Sequence, residues 1–203
     1  MIKNTKQEES ILINKVTTKS GDKGKSLMFG KMKDKNDIIF DLIGNLDLLN
    51  AHIGCIRNFL LHEKDFFISI QNDLFDIGRI IYCKTDLQDE CINKLENFVR
   101  KYNADLPPLT SFVLPNTYTA DIHIARAVTR NTERIFWMTK CQYEFLSDNI
   151  GVYLNRMSDV LFVMARICDQ DEQVWERSKN SVNITEGACI DAGQKNTNEF
   201  GSK

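Results

Sequence analysis

Apolar side chains recur along most of this chain at spacings of three and four, and that period predicts helices rather than strands. From Ile38 to about Leu60 one stripe is formed by Leu42, Leu46, Leu49, Ile53, Ile56 and Leu60. A second helix is expected from about Lys64 to Tyr82, with Phe67, Ile70, Leu74, Ile77 and Ile81 inward. A third, from about Gln88 to Tyr102, stops before the 103–108 linker, where two prolines remove backbone donors. A fourth, about Tyr118 to Lys140, contains no helix breaker. A fifth, about Ile150 to Cys168, has Leu154, Leu161, Val163, Met164 and Ile167 as its stripe. Residues 111–116 read as a short apolar segment ending in a turn, with Phe112 in the core. No convincing strand and no internal repeat accompany these elements. The expectation is an all-α, five-helix bundle with a glycine-containing N-terminal loop. Residues 1–14 read as a flexible N-terminus, 15–177 as the bundle domain and 178–203 as a disordered tail.

The polar residues that interrupt the stripes carry the chemistry. In the fourth helix Arg126, Arg130, Glu133 and Arg134 fall at i, i+4, i+7 and i+8 and share a face, while Ile124, Val128 and Ile135 fall largely on others. Arginines at i, i+4 repel each other, and one glutamate offsets three guanidinium charges only in part. Such a face is either solvated or meets an anion, guanidinium being the preferred bidentate partner of phosphate. The stretch alone leaves these two readings even. Asp47, Asn50 and Gly54 share a face of the first helix, and Asn155 and Asp159 a face of the fifth, where Arg156 and Arg166 are also polar. Polar groups on a face that packs need partners, either one another or a ligand, and an Asp47–arginine salt bridge is the simplest internal one.

The loop from Lys15 to Gly30 is rich in glycine, lysine and hydroxyls. Gly24-Lys25-Ser26 looks like the end of a P-loop, but Lys19 stands where that motif needs a glycine, and no buried strand precedes it. A P-loop fold is excluded. The chemistry still suits phosphate, since glycines admit backbone N–H groups and lysines add charge, though on this stretch alone a polar surface turn is the first reading. Residues 31–37 read as a charged loop.

Length and composition narrow the function. The 203 residues fit one domain, and 42% hydrophobic with 27% charged is ordinary for a globular chain. A net charge of -2 leaves no footprint for nucleic acid or an anionic membrane, so any anion site must be local. No apolar run approaches the roughly 18–20 residues that span a bilayer. The first ten residues lack the apolar core of a secretory signal and the arginines of a transit peptide. Cys55, Cys83, Cys91, Cys141, Cys168 and Cys189 form no C-x-x-C, and four of them lie in apolar helical patterns where a free thiol acts as a small hydrophobe. A reducing compartment without disulfides is expected: the cytoplasm, or alternatively the mitochondrial matrix.

Taken together, five stretches resemble the PduO-type ATP:corrinoid (cob(I)alamin) adenosyltransferases. Thr18-Lys19-Ser20-Gly21-Asp22-Lys23-Gly24 resembles that family's T-R-T-G-D-x-G signature, with Phe29-Gly30 as its continuation. Gly44 to Asn50 is similar to G-x-x-D-E-L-N, and Phe112-Val113-Leu114-Pro115 to F-x-L-P. Arg126-x-x-x-Arg130-x-x-Glu133-Arg134 matches the central R-x-x-x-R-x-x-E-R, and Tyr153 to Asp159 the Y-x-N-R-L-S-D block. The blocks run in family order from about Val16 to Trp175.

The resemblance implies transfer of the 5′-deoxyadenosyl group of ATP to cob(I)alamin, giving adenosylcobalamin and triphosphate. It implies a homotrimer with sites between subunits. Thr17, Thr18, Lys19, Ser20, Gly21, Asp22, Gly24 and Lys25 would hold ATP, completed by Arg126, Arg130, Glu133 and Asn155 across the interface. Mg²⁺ would be held through the ATP phosphates, with Glu133 nearby. Asp47 would hold an arginine, most directly Arg130. Phe112, Asp159 and Phe162 are the implied corrinoid positions, Phe112 as the apolar side chain that keeps a lower ligand off Co(II). A separate flavin-type reductase and an adenosylcobalamin-dependent enzyme are the implied protein partners. The sequence departs from the family pattern at Lys19 for arginine, Lys25 for threonine, Leu48 for glutamate, Asn116-Thr117 for Gly-Gly and Asn131 for arginine. These departures define the alternative, a weakened ATP- and corrinoid-binding paralogue used in sensing or delivery.

Overall fold

The computed structural model describes Thr17, residues 19–58 and residues 60–176. The readings made for residues 1–14 and 178–203 lie outside the described residues, as do Thr18 and Cys189. The chain divides into a larger unit, up to Leu106 and from Pro115 to Gln170, and a smaller one, Pro107–Leu114 with the residues from Asp171 on.

Among the described residues the larger unit holds five α-helices: α1 (Ile38–Ile56), α2 (Lys64–Cys83), α3 (Asp89–Asn103), α4 (Ala120–Lys140) and α5 (Asp148–Cys168). α4 packs on both α1 and α5, α5 also on α3, and α1 on α2. α1 begins where Asp37 Oδ1 accepts the Ile39 N–H at 3.1 Å, which satisfies one of the orphan donors of a helix start. The stripes predicted for the first two helices are buried throughout. α1 does reach a spanning length, 19 residues with a mean hydropathy of 1.2, against the sequence expectation. Its apolar stripe faces α2 and α4, and Asp41, Asn45, Asp47, Asn50 and His52 interrupt the rest.

α5 is the most enclosed helix, burying Ile150, Tyr153, Leu154, Met157, Val160, Leu161, Val163 and Met164. Ile167, expected inward, is exposed: it shares a side of the helix with the buried Val160 and Val163 but lies in the last turn of α5. The buried face of α4 is largely hydroxylic: Ile122, Ala125, Thr129, Thr132, Phe136 and Thr139. The three threonines donate back to the carbonyls of Ala125, Val128 and Ile135 at 2.8, 2.9 and 2.7 Å, so no buried hydroxyl lacks a partner there. Where α5 crosses α4, a Cβ on Gly151 would lie 2.5 Å from Trp137 Cζ2 and 2.8 Å from Phe136 Cε1. Gly151→Ala is therefore expected to destabilise by about 1–3 kcal/mol, in the range of overpacked cores, as read from thermal unfolding. An unchanged Tm would mean the two rings yield freely.

The five-helix bundle is as expected, but two short strands accompany it where the sequence showed none. β1 (Lys25–Met28) and β2 (Lys31–Asp34) form an antiparallel hairpin with Lys25 opposite Asp34 and Met28 opposite Lys31. The tight turn is Phe29-Gly30, both at positive φ (54° and 73°), as two-residue hairpin turns require. Four-residue strands this rich in lysine show no period-two apolar pattern, so the sequence read them as loop. Cysteines also differ from expectation: Cys55, Cys83 and Cys141 are exposed, and only Cys91 and Cys168 are half-buried, with thiol pKa values raised chiefly by desolvation.

In the smaller unit, Val113 and Val174 form an antiparallel bridge. Leu114 N–H donates to Gln173 O (2.8 Å), Trp175 N–H to Phe112 O (2.7 Å) and Ser111 Oγ to Trp175 O (2.8 Å). Phe112 is 77% exposed, with the Trp175 ring edge-on at 6.3 Å. The core reading of Phe112 is thus wrong, because so short a ladder has no second layer to cover its ring.

Candidate functional site

The arginine face of α4 meets the polar positions of α5. The Arg126 guanidinium lies over the Phe162 ring, 5.1 Å from its centroid, in cation–π geometry. Its Nε is buried without a hydrogen-bond partner. Desolvation lowers its pKa, Arg130 one turn on lowers it further, and Asp159 opposes both. Arg130 is exposed. Neither arginine makes an ion pair among the described residues. Asp159 has its pKa raised by desolvation, against the pull of Arg156, Arg126 and Arg130. Two guanidinium groups thus stand one turn apart, with the exposed Asp159 carboxylate close enough to act on both.

A relay runs beside them through three helices. Arg156 donates from Nε to Glu96 Oε1 (2.7 Å) and from Nη1 to Asn155 Oδ1 (3.1 Å). Asn155 Nδ2 then donates to Glu133 Oε1 at 3.3 Å. This orients the Asn155 amide and leaves Glu133 its second oxygen. The structure therefore brings together Arg126, Arg130, Glu133, Asn155, Asp159 and Phe162. Sequence reasoning missed Glu96, which no motif marks, and His123. The His123 Nε2 is buried without a partner, and desolvation followed by Arg126 lowers its pKa, with Asp169 opposing.

Other expected members stand apart. Asp47 is exposed, and among the described residues no ion pair joins it to Arg130; the α1–α4 polar contact is Asn131 Nδ2 to Asn45 Oδ1 at 3.0 Å. Asn50 is buried and exchanges hydrogen bonds with Gln71 of α2, and Gly54 lies against the same glutamine. That face of α1 is a packing face, and only Asp47 on it lacks a structural explanation. Asn116, one of the departures from the family pattern, braces the turn before α4: its Oδ1 accepts from the N–H groups of Tyr118 (3.0 Å) and Thr119 (3.1 Å), and its Nδ2 donates to Asp169 Oδ1 (2.7 Å).

The N-terminal loop is a polar turn joined to the hairpin. Thr17, Lys19, Ser20, Asp22 and Gly24 are exposed. Lys19 and Gly24 have positive φ (59° and 68°), and weak turn bonds link Asp22 N to Lys19 O (3.4 Å) and Gly24 N to Gly21 O (3.2 Å). A Cβ on Gly21 would lie 2.8 Å from Lys35 Nζ, so a glycine lets that cation close on the turn. Lys25 pairs with Asp34 at 3.4 Å. The hairpin is tied through Lys33 and Asp37 to Tyr143, just beyond the C-terminal end of α4. At about 1.5 Å of rise per residue, Arg130 and Arg126 lie roughly 15 and 21 Å back along α4 from Lys140.

Fold and site define a helical bundle with an unneutralised arginine face and a separate lysine- and glycine-rich loop. Residues 16–168 match the sequence profile of the family described as Cobalamin adenosyltransferase. The chain belongs to that family. It is 35% identical over 185 residues to a cobalamin adenosyltransferase of Cupriavidus metallidurans, covering 83% of this chain and 98% of the relative. It is 32% identical to a corrinoid adenosyltransferase of Bacillus subtilis, covering 75% and 86%, and 33% identical to corrinoid adenosyltransferase MMAB of Homo sapiens, covering 81% and 73%. A solved variant of a PduO-type ATP:corrinoid adenosyltransferase from Lactobacillus reuteri, complexed with cobalamin and ATP, shares the fold with a TM-score of 0.73. That likeness covers 80% of this chain and 100% of the other at 24% identity.

Proposed function

We propose that this protein transfers the 5′-deoxyadenosyl group of ATP to the cobalt of cob(I)alamin. The observation that carries the reading is the Arg126–Arg130 pair, two guanidinium groups without an ion-pair partner among the described residues, one of them half-buried with an unbonded Nε. A buried donor of that kind calls for an acceptor, and a triphosphate supplies several.

In this reaction the cobalt lone pair attacks C5′, the Co–C bond forms, the C5′–O5′ bond breaks, and triphosphate leaves with the bonding electrons. The protein needs no nucleophile of its own, because the substrate brings one. Charge grows on the departing triphosphate, where Arg126 and Arg130 act as preorganised donors. Asn155, oriented by Arg156, and Glu133 fix the same end of the nucleotide. Lys19, Lys25 and the backbone of the glycine loop hold phosphate oxygens. Glu133 fits Mg²⁺ only as a single carboxylate ligand, so the ion would sit mainly on phosphate oxygens, where it offsets negative charge. Phe112, exposed in the smaller unit, suits an apolar contact with the corrinoid.

The axial gap between the hairpin anchor and Arg126 supports a site shared between copies, the loop of one serving the arginine face of the next, and a homotrimer is the assembly proposed. The reaction requires a reductant for Co(II), for which a separate flavin-type reductase is proposed, and an adenosylcobalamin-dependent enzyme as recipient. Both belong in a reducing compartment, the cytoplasm or the mitochondrial matrix.

The test is anaerobic mixing of the protein with chemically reduced cob(I)alamin, ATP and Mg²⁺. The expected result is light-sensitive adenosylcobalamin with equimolar triphosphate, and a rise in Tm with ATP by mass action. Binding of both substrates without product would instead establish the sensing or delivery paralogue.

A further inference from the structure

Between Lys19 and Gly24 the backbone forms a turn with long bonds, Asp22 N–H to Lys19 O and Gly24 N–H to Gly21 O, and its two positive-φ residues are exposed. Its position is inherited from the hairpin, through the Lys35 N–H to Gly24 O bond (2.8 Å) and the pairing of Lys25 with Asp34. A hairpin of two four-residue strands has no core of its own, so something must fix it to the bundle.

Met28 at the end of β1 is buried in the bundle core, and two further contacts add to it. At the turn, Phe29 inserts among Phe145 (edge-on, 5.3 Å), Tyr143 (5.9 Å) and Tyr82 (6.4 Å), with Lys84 Nζ over the Phe29 and Phe145 rings at 5.1 and 4.9 Å. On β2, Lys33 Nζ donates to Tyr143 Oη (2.8 Å) and to Asp37 Oδ2 (2.9 Å). The Tyr143 hydroxyl donates to the Asp37 carboxylate, 2.7 Å from each oxygen. Asp37 is also the N-cap of α1. One carboxylate thus joins the hairpin, the start of α1 and the segment after α4.

We propose that Tyr143, with Lys33 and Asp37, is a latch that positions residues 19–25 for the ATP triphosphate. The inference rests on the reading of that loop as a phosphate site. Tyr143 touches no substrate; it acts by keeping the hairpin, and hence Gly24 and Lys25, at a fixed place on the bundle before ATP arrives. Without the latch the ordering cost falls on binding, so ATP affinity suffers before catalysis does.

The test uses Tyr143→Phe, which keeps the ring packing and removes only the hydroxyl, and Asp37→Asn, which keeps a good N-cap residue but removes the charge. Each should raise the KM for ATP about fivefold to tenfold, the size expected for charge-assisted hydrogen bonds, while kcat and the KM for cob(I)alamin stay near wild type. Lys19→Ala is measured alongside. If Lys19→Ala weakens ATP but both latch variants stay within about twofold of wild type, the latch is refuted and the loop reading stands. If Lys19→Ala has no effect either, the loop reading falls and the latch with it. A fall in kcat and Tm at constant KM would show a merely structural contact and would also overturn the proposal.

Discussion

Arg130→Ala should cut ATP-dependent adenosylation of cob(I)alamin by about 10²–10³-fold, the loss seen when one preorganised donor to developing charge is removed. The folded protein should barely notice. Arg130 is exposed and makes no ion pair or hydrogen bond among the described residues, so truncation removes no packing. It also relieves an i, i+4 repulsion with Arg126 worth roughly 0.2–0.5 kcal/mol, which makes an unchanged or slightly higher Tm the expected sign. Activity and stability therefore part company, as they do for a residue kept for a ligand and not for the fold. Arg130→Lys retains the charge but loses the planar fork, and its activity should fall between the two. The measurement is the rate of adenosylcobalamin formation under saturating ATP, with Tm recorded on the same preparations. A variant that keeps full activity would return the arginine face to the solvated reading.

The arginine face was legible because its residues lie on one helix, where spacing alone fixes which side chains share a side. Its partners on α5 were legible for the same reason, as Asn155 and Asp159 keep the i, i+4 spacing. Asp47 shows where this reasoning stops: spacing placed it on a polar face of α1, but which helix that face meets depends on packing. There Asn50 and Gly54 serve Gln71, and among the described residues Asp47 makes no ion pair. The hairpin was not legible, since strands of four residues with alternating lysines are stabilised by Phe29 and the Lys33–Asp37–Tyr143 contacts, which join residues over 100 positions apart. Phe112 was misread as core because an apolar residue near prolines suggests burial, whereas its ring is exposed beside a short ladder with Trp175 edge-on to it.

The Y-x-N-R-L-S-D block shows that a motif can mix two kinds of constraint. Asn155 and Asp159 face the arginines, but Tyr153 and Ser158 are buried. The Tyr153 hydroxyl donates to Asp73 Oδ2 at 2.8 Å, and Lys94 Nζ reaches the same oxygen at 2.5 Å, tying α5 to α2 and α3. Tyr153→Ala should therefore cost about 3–5 kcal/mol, as removal of a large buried aromatic does. For a chain of this size that is a fall in Tm on the order of 10 °C. Tyr153→Phe should cost only about 1 kcal/mol, because the ring still fills its space and Asp73 keeps Lys94 as a partner. In both variants the activity per folded molecule should match wild type, because the arginines, Glu133 and Asn155 are untouched. Loss of activity in Tyr153→Phe without loss of Tm would place this tyrosine in the site, and the division of the motif into a core half and a site half would fail.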